Sequence, residues 1–500
     1  MFNFIEELKI QAAQNPTGIA IELGRNKVTF LELWKNVQTV ASNSIRLGYK
    51  PGDTFIFASK PTPRTISMAL GLVHAGLCLA FIDPFTATHS FEVRAKLVSA
   101  RLVIAESLLF TLGSKLLAGL RNIVGFSIAD YGSIIGADFF FSGPWRPLMP
   151  RGSKRIEDEF FKPVDESFQS TRIIGSNSII VFTSGTTADP KGVVHSLESI
   201  SANFKETAEI FDLKSGDRML CEPMTVGLVT VTAGATWVMP SERMPTNFNK
   251  FFGVPTDALK LLAKVDQDAI PKIEYFGVGG APISPSLVRR VFDVVGEHAV
   301  VPCIYGMTEI LPVAFCEGRH KLVQSEGDFL GKPLRGVDVR FAKDFELEIR
   351  GSGLMKNYLG KEPVAWHKTG DLAKLDSEGN LIMLSRKKNM LIRGDMNIYP
   401  SLYEPGLTTI KGVADAVIVG VPDEYEDDRI ALMVVPSNPS QDRKALKALV
   451  EKEMPKYIDR DALPDLVIVL DQLPVSGRGK KRDMPKLIAI ASSYFDESDR

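Results

Sequence analysis

The chain has 500 residues, 45% of them hydrophobic and 24% charged, the makeup of a globular protein with room for about three core-bearing units. Its 59 basic and 60 acidic side chains leave a formal charge of -1, so no overall field selects nucleic acid or an acidic membrane as a partner. Cys78, Cys221, Cys303 and Cys316 never fall in C-x-x-C spacing, which argues against a zinc site and a disulfide framework and makes a reducing cytoplasm the expected compartment.

Met1-Phe2-Asn3-Phe4-Ile5-Glu6-Glu7 lacks a basic segment followed by an apolar core, so no signal peptide is expected. The most apolar stretches, Met68 to Ile82 and Val226 to Met239, are too short to span a bilayer and are expected in the core. Phe30 to Leu47 reads as helix, Thr54 to Ala58 as strand, Thr65 to His74 as helix, Leu79 to Ile82 as strand, Phe91 to Ser99 as helix and Leu102 to Ala105 as strand. That alternation predicts a parallel sheet with covering helices. From Leu102 to Phe126, Leu108, Leu109, Phe110, Leu112, Leu116, Leu117 and Leu120 accompany Lys115 and Arg121 as a candidate amphipathic helix. It is expected to pack on the protein's own sheet rather than on a membrane. Ser142 to Arg172, with Pro144, Pro147, Pro150 and Pro163, loses periodicity and reads as a surface connection.

A second α/β block is expected from Ile174 to about Ala314, with a helix near Ser199 to Ile210 and strands near Met219, Thr236, Tyr275 and Val301. Short β-like runs at Val337 to Phe341 and Glu346 to Arg350, broken by Gly and Pro, predict a small distorted β subdomain over 320 to 384. Beyond Lys388 a compact α/β unit follows: helix Pro400 to Leu407, strands Asp415 to Val421 and Arg429 to Val435, helix Arg443 to Met454, strand Asp465 to Val469.

The most informative stretch is Val181 to Val194. The apolar run Ser178 to Phe182 reads as a buried strand, Val193-Val194 as the next, and between them Thr183-Ser184-Gly185-Thr186-Thr187 forms a hydroxyl-rich loop able to wrap a polyphosphate. Pro190 stiffens the exit and Lys191 adds a positive charge. The arrangement is hairpin-like, unlike the strand-to-helix loop of GxxxxGK[ST] nucleotide binders; an ordinary polar turn shares its composition.

Further clusters carry chemistry. Tyr305-Gly306-Met307-Thr308-Glu309 follows a predicted strand and brings together an aromatic face, a tight turn, a hydroxyl and a carboxylate. Such a set can stack a base and hold a magnesium ion, which takes one or two carboxylates plus substrate oxygens. Read alone, Thr308-Glu309 is also a helix-start signal. Lys368-Thr369-Gly370-Asp371 precedes the turn Asp376 to Asn380 between two strands, and Asp371 can accept ribose hydroxyls. Arg386-Lys387-Lys388 places cations at the junction of the large and small regions, with Arg386 able to fork onto ribose or phosphate oxygens. Lys480, in the Gly-rich Ser476-Gly477-Arg478-Gly479-Lys480, can stabilise charge at a reacting phosphate.

Together, Thr183 to Thr187 with Pro190-Lys191-Gly192, Tyr305 to Glu309, Thr369 to Asp371, Arg386 to Lys388 and Lys480 resemble, in order and spacing, the ANL superfamily of adenylate-forming enzymes. Gly279-Gly280-Ala281-Pro282, Asn397 to Pro400 with Glu404, and Val417 to Glu424 support the resemblance, which covers almost the whole chain. It implies an α/β fold: a large N-terminal domain of stacked α/β sheets with the small distorted β subdomain, residues 1–387, and a small mobile α+β C-terminal domain, 388–500, turning about a hinge at Lys388.

The roles it implies suit the residue chemistry. Thr183, Ser184, Gly185, Thr186, Thr187 and Lys191 would surround the β,γ-phosphates of ATP. Tyr305 would stack on adenine with Gly280 and Ala281 beside it, Gly306 and Met307 would also touch the nucleotide, Thr308 and Glu309 would serve the α-phosphate and Mg2+, and Asp371 and Arg386 the ribose. Lys480 would bridge carboxylate and α-phosphate as the acyl-adenylate forms and pyrophosphate leaves. Val226, Thr230, Gly279 and Met307 are suggested liners of the acid pocket. The acceptor would be a thiol, CoA or a carrier protein, near Arg393-Gly394.

The chain departs from the family pattern at Ala188, where Gly is usual, and at Asp395, where a second Gly is common. Asp427-Asp428 replaces a usual Gly-Glu, and Pro223-Met224-Thr225-Val226-Gly227 lacks the usual aromatic and His. The leading expectation is an ATP-dependent ligase for an apolar carboxylic acid such as a fatty acid. Glu309-Ile310-Leu311-Pro312-Val313-Ala314 also resembles β-lactone synthetases, which cyclise a 3-hydroxy acid through its adenylate. A nucleotide-binding homologue without turnover is the non-enzymatic alternative, and a homodimer is left open.

Overall fold

Thr29 closes a capping box with Glu32, its hydroxyl accepting from the Glu32 amide at 3.2 Å while the Glu32 carboxylate accepts from the Thr29 amide at 2.9 Å. From that start helix Phe30–Arg46 presents Phe30, Leu33, Val37, Val40 and Ala41 on one buried stripe. Helix Pro63–His74 packs so closely on it that a Cβ at Gly71 would lie 2.5 Å from Val40. The computed structural model describes residues 3–82, 88–117, 129–164, 168, 176–182, 191–242, 244–264, 273–323, 327–393, 396–422, 428–459, 462–476 and 481–498. The chain divides into two compact units, one comprising 1–248, 308–311 and 352–365, the other 249–307, 312–351 and 366–500.

In the first unit an eight-stranded sheet runs in the order Asn357–Tyr358, Gly192–Ser196, Asn177–Phe182, Cys78–Phe81, Thr54–Ala58, Leu102–Glu106, Asp138–Ser142, Lys154–Arg155. The strands from Asn177–Phe182 onward are mutually parallel. Phe55 to Phe57 and Leu102 to Ala105 are fully buried, the near-continuous apolar runs of strands covered on both faces. Gly192–Ser196 instead returns antiparallel to Asn177–Phe182, so the two strands pair as the arms of a hairpin, and residues 183–190 between them lie outside the described residues.

Four neighbouring strands of another sheet lie in this unit, in the order Asn26–Thr29, Ile19–Leu23, Thr236–Met239 and Arg218–Cys221. Helix Met224–Thr232 is uncharged and buried from Val226 to Thr232. Trp237, fully buried with its indole N–H donating to the Cys221 carbonyl at 2.9 Å, lies against Gly227, where a Cβ would stand 2.1 Å from the ring.

Two expectations need correction. The surface connection at Ser142 to Arg172 carries the strand Lys154–Arg155 and helix Ile156–Phe160, whose Ile156 and Phe160 are both 0% exposed. The Asn43 carboxamide, donating to the carbonyls of Phe160 at 3.0 Å and Lys162 at 2.8 Å, ties this segment to helix Phe30–Arg46. The amphipathic stretch is not one helix: strand Leu102–Glu106 leads to helix Ser107–Gly113 and a 3-10 turn, Lys115–Leu117. Phe110 is buried and Leu109 packs on the core, whereas Leu108 and Leu116 are exposed; Leu120 and Arg121 lie outside the described residues. Among the described residues no helix is long and apolar enough to cross a membrane.

The second unit holds parallel strands Lys250–Gly253, Tyr275–Gly279 and Pro302–Met307, and from residue 312 on the strand Ile310–Glu317. The distorted β subdomain is an antiparallel sheet in the order Asp328–Gly331, Leu381–Arg386, His367–Leu375, Glu346–Gly351, Val337–Phe341. Its carboxy-terminal part pairs Val413–Pro422 antiparallel with Asp428–Pro436, which runs parallel to Leu466–Val469. Helices Pro400–Leu407 and Arg443–Glu453 contribute to one core on this sheet and Met484–Ser498 to another.

Gly227→Ala forces a methyl into the Trp237 ring of a filled core, so it should destabilise the chain by about 1 to 3 kcal/mol, read as a lower urea midpoint. An unshifted midpoint would mean that the helix and Trp237 are not locked together.

Candidate functional site

In the first unit the foot of the hairpin brings Lys191, Thr308 and Glu309 together with two residues the motifs did not point to, His195 and Tyr358. Tyr358 lies on the edge strand Asn357–Tyr358, antiparallel to Gly192–Ser196 with Tyr358 opposite Val193. Its hydroxyl donates to Glu309 Oε1 at 2.7 Å, and Lys191 Nζ stands 5.4 Å from the centre of its ring. Burial, then the hydrogen bond to Glu309, pushes the Tyr358 hydroxyl well above its ordinary value, so it stays a donor.

His195 is 5% exposed and shares Nε2 with the Thr308 carbonyl at 2.8 Å and Nδ1 with Ser199 Oγ at 3.1 Å. A carbonyl only accepts, so Nε2 carries the proton and Nδ1 accepts from Ser199. Burial holds the imidazole below its usual range, against the opposing pull of the Thr308 carbonyl and Glu309. The Glu309 carbonyl accepts from the Met355 amide at 2.7 Å. Thr308 and Glu309 form a turn into Ile310–Glu317, not the start of a helix.

In the second unit Asp371, 0% exposed, is the centre of a cluster. Thr369, Gly370 and Asp371 stand against Leu347 alone in the pairing of His367–Leu375 with Glu346–Gly351. This bulge uses the left-handed φ of 71° at Gly370, and it re-aims Asp371. Tyr305 Oη donates to Asp371 Oδ2 at 2.6 Å, and Arg386 Nε pairs with Oδ1 at 2.6 Å from the opposing strand. Burial and the Asp371 charge raise the Tyr305 hydroxyl well above its ordinary value. Glu346 braces the bulge, accepting from the Gly370 amide at 3.2 Å and from Lys387 Nζ at 2.9 Å. The turn at Asp376 is as predicted, its carboxylate taking the amides of Glu378 and Asn380.

Gly279 ends its strand where a Cβ would meet the Phe252 ring at 3.2 Å and the Ile304 carbonyl at 3.3 Å, and Gly280 follows with φ 76°. Gly306 and Met307 end strand Pro302–Met307, and the chain passes from the second unit to the first between Met307 and Thr308. Ala281 is half-buried. Of the suggested acid-pocket residues in the first unit, Val226 is 5% exposed. Thr230 is 0% exposed, with its hydroxyl donating to the Val226 carbonyl at 2.9 Å. Thr183, Ser184, Gly185, Thr186, Thr187, Ala188, Gly394, Asp395, Asp427 and Lys480 lie outside the described residues, as does the side chain of Lys388.

Two residues past Lys480, Arg482 bonds Glu404 Oε2 and Asp415 Oδ1, each at 2.8 Å, and the Ala416 carbonyl at 3.0 Å. Burial pushes the Glu404 carboxyl up against the pull of Arg482. Strands Val475–Ser476 and Lys481–Arg482 pair antiparallel.

The sequence profile of AMP-binding enzymes matches residues 8–359, and that of the AMP-binding enzyme C-terminal domain matches residues 403–480. The chain belongs to the AMP-binding enzyme family. It is thus an ANL adenylate-forming enzyme, an AMP-forming ligase that activates a carboxylic acid with ATP. Among proteins similar to it, an octahydro-indenyl-propanoyl:CoA ligase of Rhodococcus jostii is 26% identical over 445 residues, 81% of this chain and 83% of its own. A long-chain-fatty-acid–CoA ligase of Bacillus subtilis is 24% identical over 535 aligned positions, 94% of this chain and 91% of its own. The ATP-bound MatB of Rhodopseudomonas palustris shares the fold with a TM-score of 0.78 at 20% identity, covering 98% of this chain and 99% of that one.

His195 links this part of the AMP-binding fold to pH. Its folded-state value lies below the ordinary 6.5, so on acidification the unfolded chain takes up the proton first; stability present above pH 6.5 is lost as pH falls toward the folded-state value. The native chain should therefore lose up to about 1.4 kcal/mol per pH unit more than His195→Gln between about pH 6.5 and pH 5.5. Urea midpoints of both chains test this, and parallel losses would remove His195 as the cause.

Proposed function

We propose that the enzyme adenylates an apolar carboxylic acid, of which a fatty acid is the leading case, and passes the acyl group to the thiol of CoA. The observation that carries the adenylation site is the grouping of Lys191, Thr308 and Glu309 at the foot of the hairpin, held by Tyr358 and His195. The uncharged helix Met224–Thr232, standing where the family pattern has an aromatic-His gate, supports an apolar acid. Relatives named as CoA ligases support CoA as acceptor.

The residues present suit magnesium in its usual phosphate-bridging role: one carboxylate, Glu309, with the remaining ligands from substrate oxygens and water. Among the described residues no group of three or more His, Cys, Asp and Glu forms an all-protein cage. The ion would offset charge on the ATP phosphates when bound. Lys191 adds positive charge at the β,γ-phosphate side, and Tyr305, Asp371 and Arg386 take the adenosine. Lys480 orients carboxylate and α-phosphate, from a domain of residues 388–500 that turns about Lys388 relative to residues 1–387.

Lys480→Ala should slow acid-dependent exchange of labelled pyrophosphate into ATP by about 10² to 10³, the usual effect of removing one transition-state donor. An unchanged rate would reject the role. Incubation with ATP, magnesium, a fatty acid and CoA should give acyl-CoA. Product from a 3-hydroxy fatty acid and ATP without CoA would replace the ligase reading with β-lactone formation, the outcome toward which Glu309 to Ala314 points.

A further inference from the structure

A Glu309 that serves magnesium would offer one carboxylate oxygen to the ion, and the cation Lys191 stands on the same tyrosine, Tyr358, that Glu309 engages. Side chains of opposite charge attract one another, and an ion pair between these two would occupy both the carboxylate and the lysine. Tyr358 engages each of them at a different place: Lys191 Nζ stands over its ring, 5.4 Å from the centre, and Glu309 Oε1 takes its hydroxyl at 2.7 Å. Oε2 is then the oxygen not engaged by Tyr358, and its direction is set by the hydrogen bond its twin makes.

Tyr358 is itself fixed by backbone on both sides. The Lys356 amide donates to the Val194 carbonyl at 2.8 Å and the Leu359 amide to the Gly192 carbonyl at 2.7 Å. Three residues before Tyr358, the Met355 amide holds the Glu309 carbonyl. The Asn357 carboxamide closes the following turn, donating to the Tyr358 and Lys361 carbonyls at 2.8 and 2.9 Å. The short segment 355–359 therefore grips the backbone and the side chain of Glu309 and the first residue after Lys191.

We propose that Tyr358 is a positioning residue that orients the Glu309 carboxylate toward magnesium and keeps Lys191 free for phosphate. This rests on Glu309 as the magnesium residue. Removing a group that hydrogen-bonds a metal-ligating carboxylate lowers metal affinity by about 10- to 100-fold. Tyr358→Phe keeps the ring under Lys191 and removes only the hydroxyl.

The test is calorimetric titration of the full chain with ATP in the presence and absence of magnesium, which reads binding without turnover. In Tyr358→Phe the affinity gained from magnesium should fall by about tenfold or more, while metal-free ATP binds as before. In a Glu309→Gln background the same substitution should change nothing further, because its effect runs through that carboxylate. An undiminished magnesium gain in Tyr358→Phe overturns the proposal, as does an equal loss with and without magnesium or an additive loss in the double variant. If Glu309→Gln alone leaves the gain intact, the magnesium assignment of Glu309 falls with it; if Glu309→Gln abolishes the gain and Tyr358→Phe does not, only the role of Tyr358 falls.

Discussion

The antiparallel return of Gly192–Ser196 on an otherwise parallel run of strands is the constraint on which the first unit's site depends. A parallel connection would have led from Phe182 into a crossover helix. The return strand instead leaves an edge with unpaired backbone groups, and Asn357–Tyr358 covers it. Pairing at that edge carries Tyr358 to the foot of the hairpin, 167 positions on from Lys191 in the chain. Packing is close at the foot, since a Cβ at Gly192 would stand 3.1 Å from both the Leu359 side chain and the Phe182 ring.

The second unit solves a different problem, that of a carboxylate with no exposure to water. Asp371 is tolerable there because Tyr305 and Arg386 reach it from two other strands. The same economy recurs at Glu404, where Arg482 and the Ile418 amide at 3.0 Å occupy both oxygens. In each case a residue prominent in the sequence is held by partners that distance in the chain conceals.

That concealment marks the boundary of what the sequence could reveal. Local signals were legible: the period of Phe30 to Leu47, the apolar strands, the return of Gly192–Ser196 beside Asn177–Phe182 and the Asp376 turn all depend on neighbours in the chain. Asp371 and Arg386 were singled out as a pair of ribose ligands, but nothing in the sequence showed that they face each other across two strands. Tyr358 and His195 had no motif around them, because their chemistry lies in partners 49 and 113 residues away. Ile156 and Phe160 sit among prolines and charges that erase periodicity, and only the tie from Asn43 shows the segment to be anchored. Thr308-Glu309 was ambiguous between turn and helix start for a physical reason: both use a polar residue to satisfy free amides, and the next strand decides between them.

The four cysteines have a use that no chemistry at the site requires. All are buried, Cys78 and Cys221 in the first unit, Cys303 and Cys316 in the second. A thiol shielded from solvent does not meet an alkylating reagent until the structure around it opens. Each unit thus carries its own pair of latent labels, and the order in which the four are captured reports which unit opens first and at what free energy. The wild-type chain needs no introduced probe to have its local stability mapped.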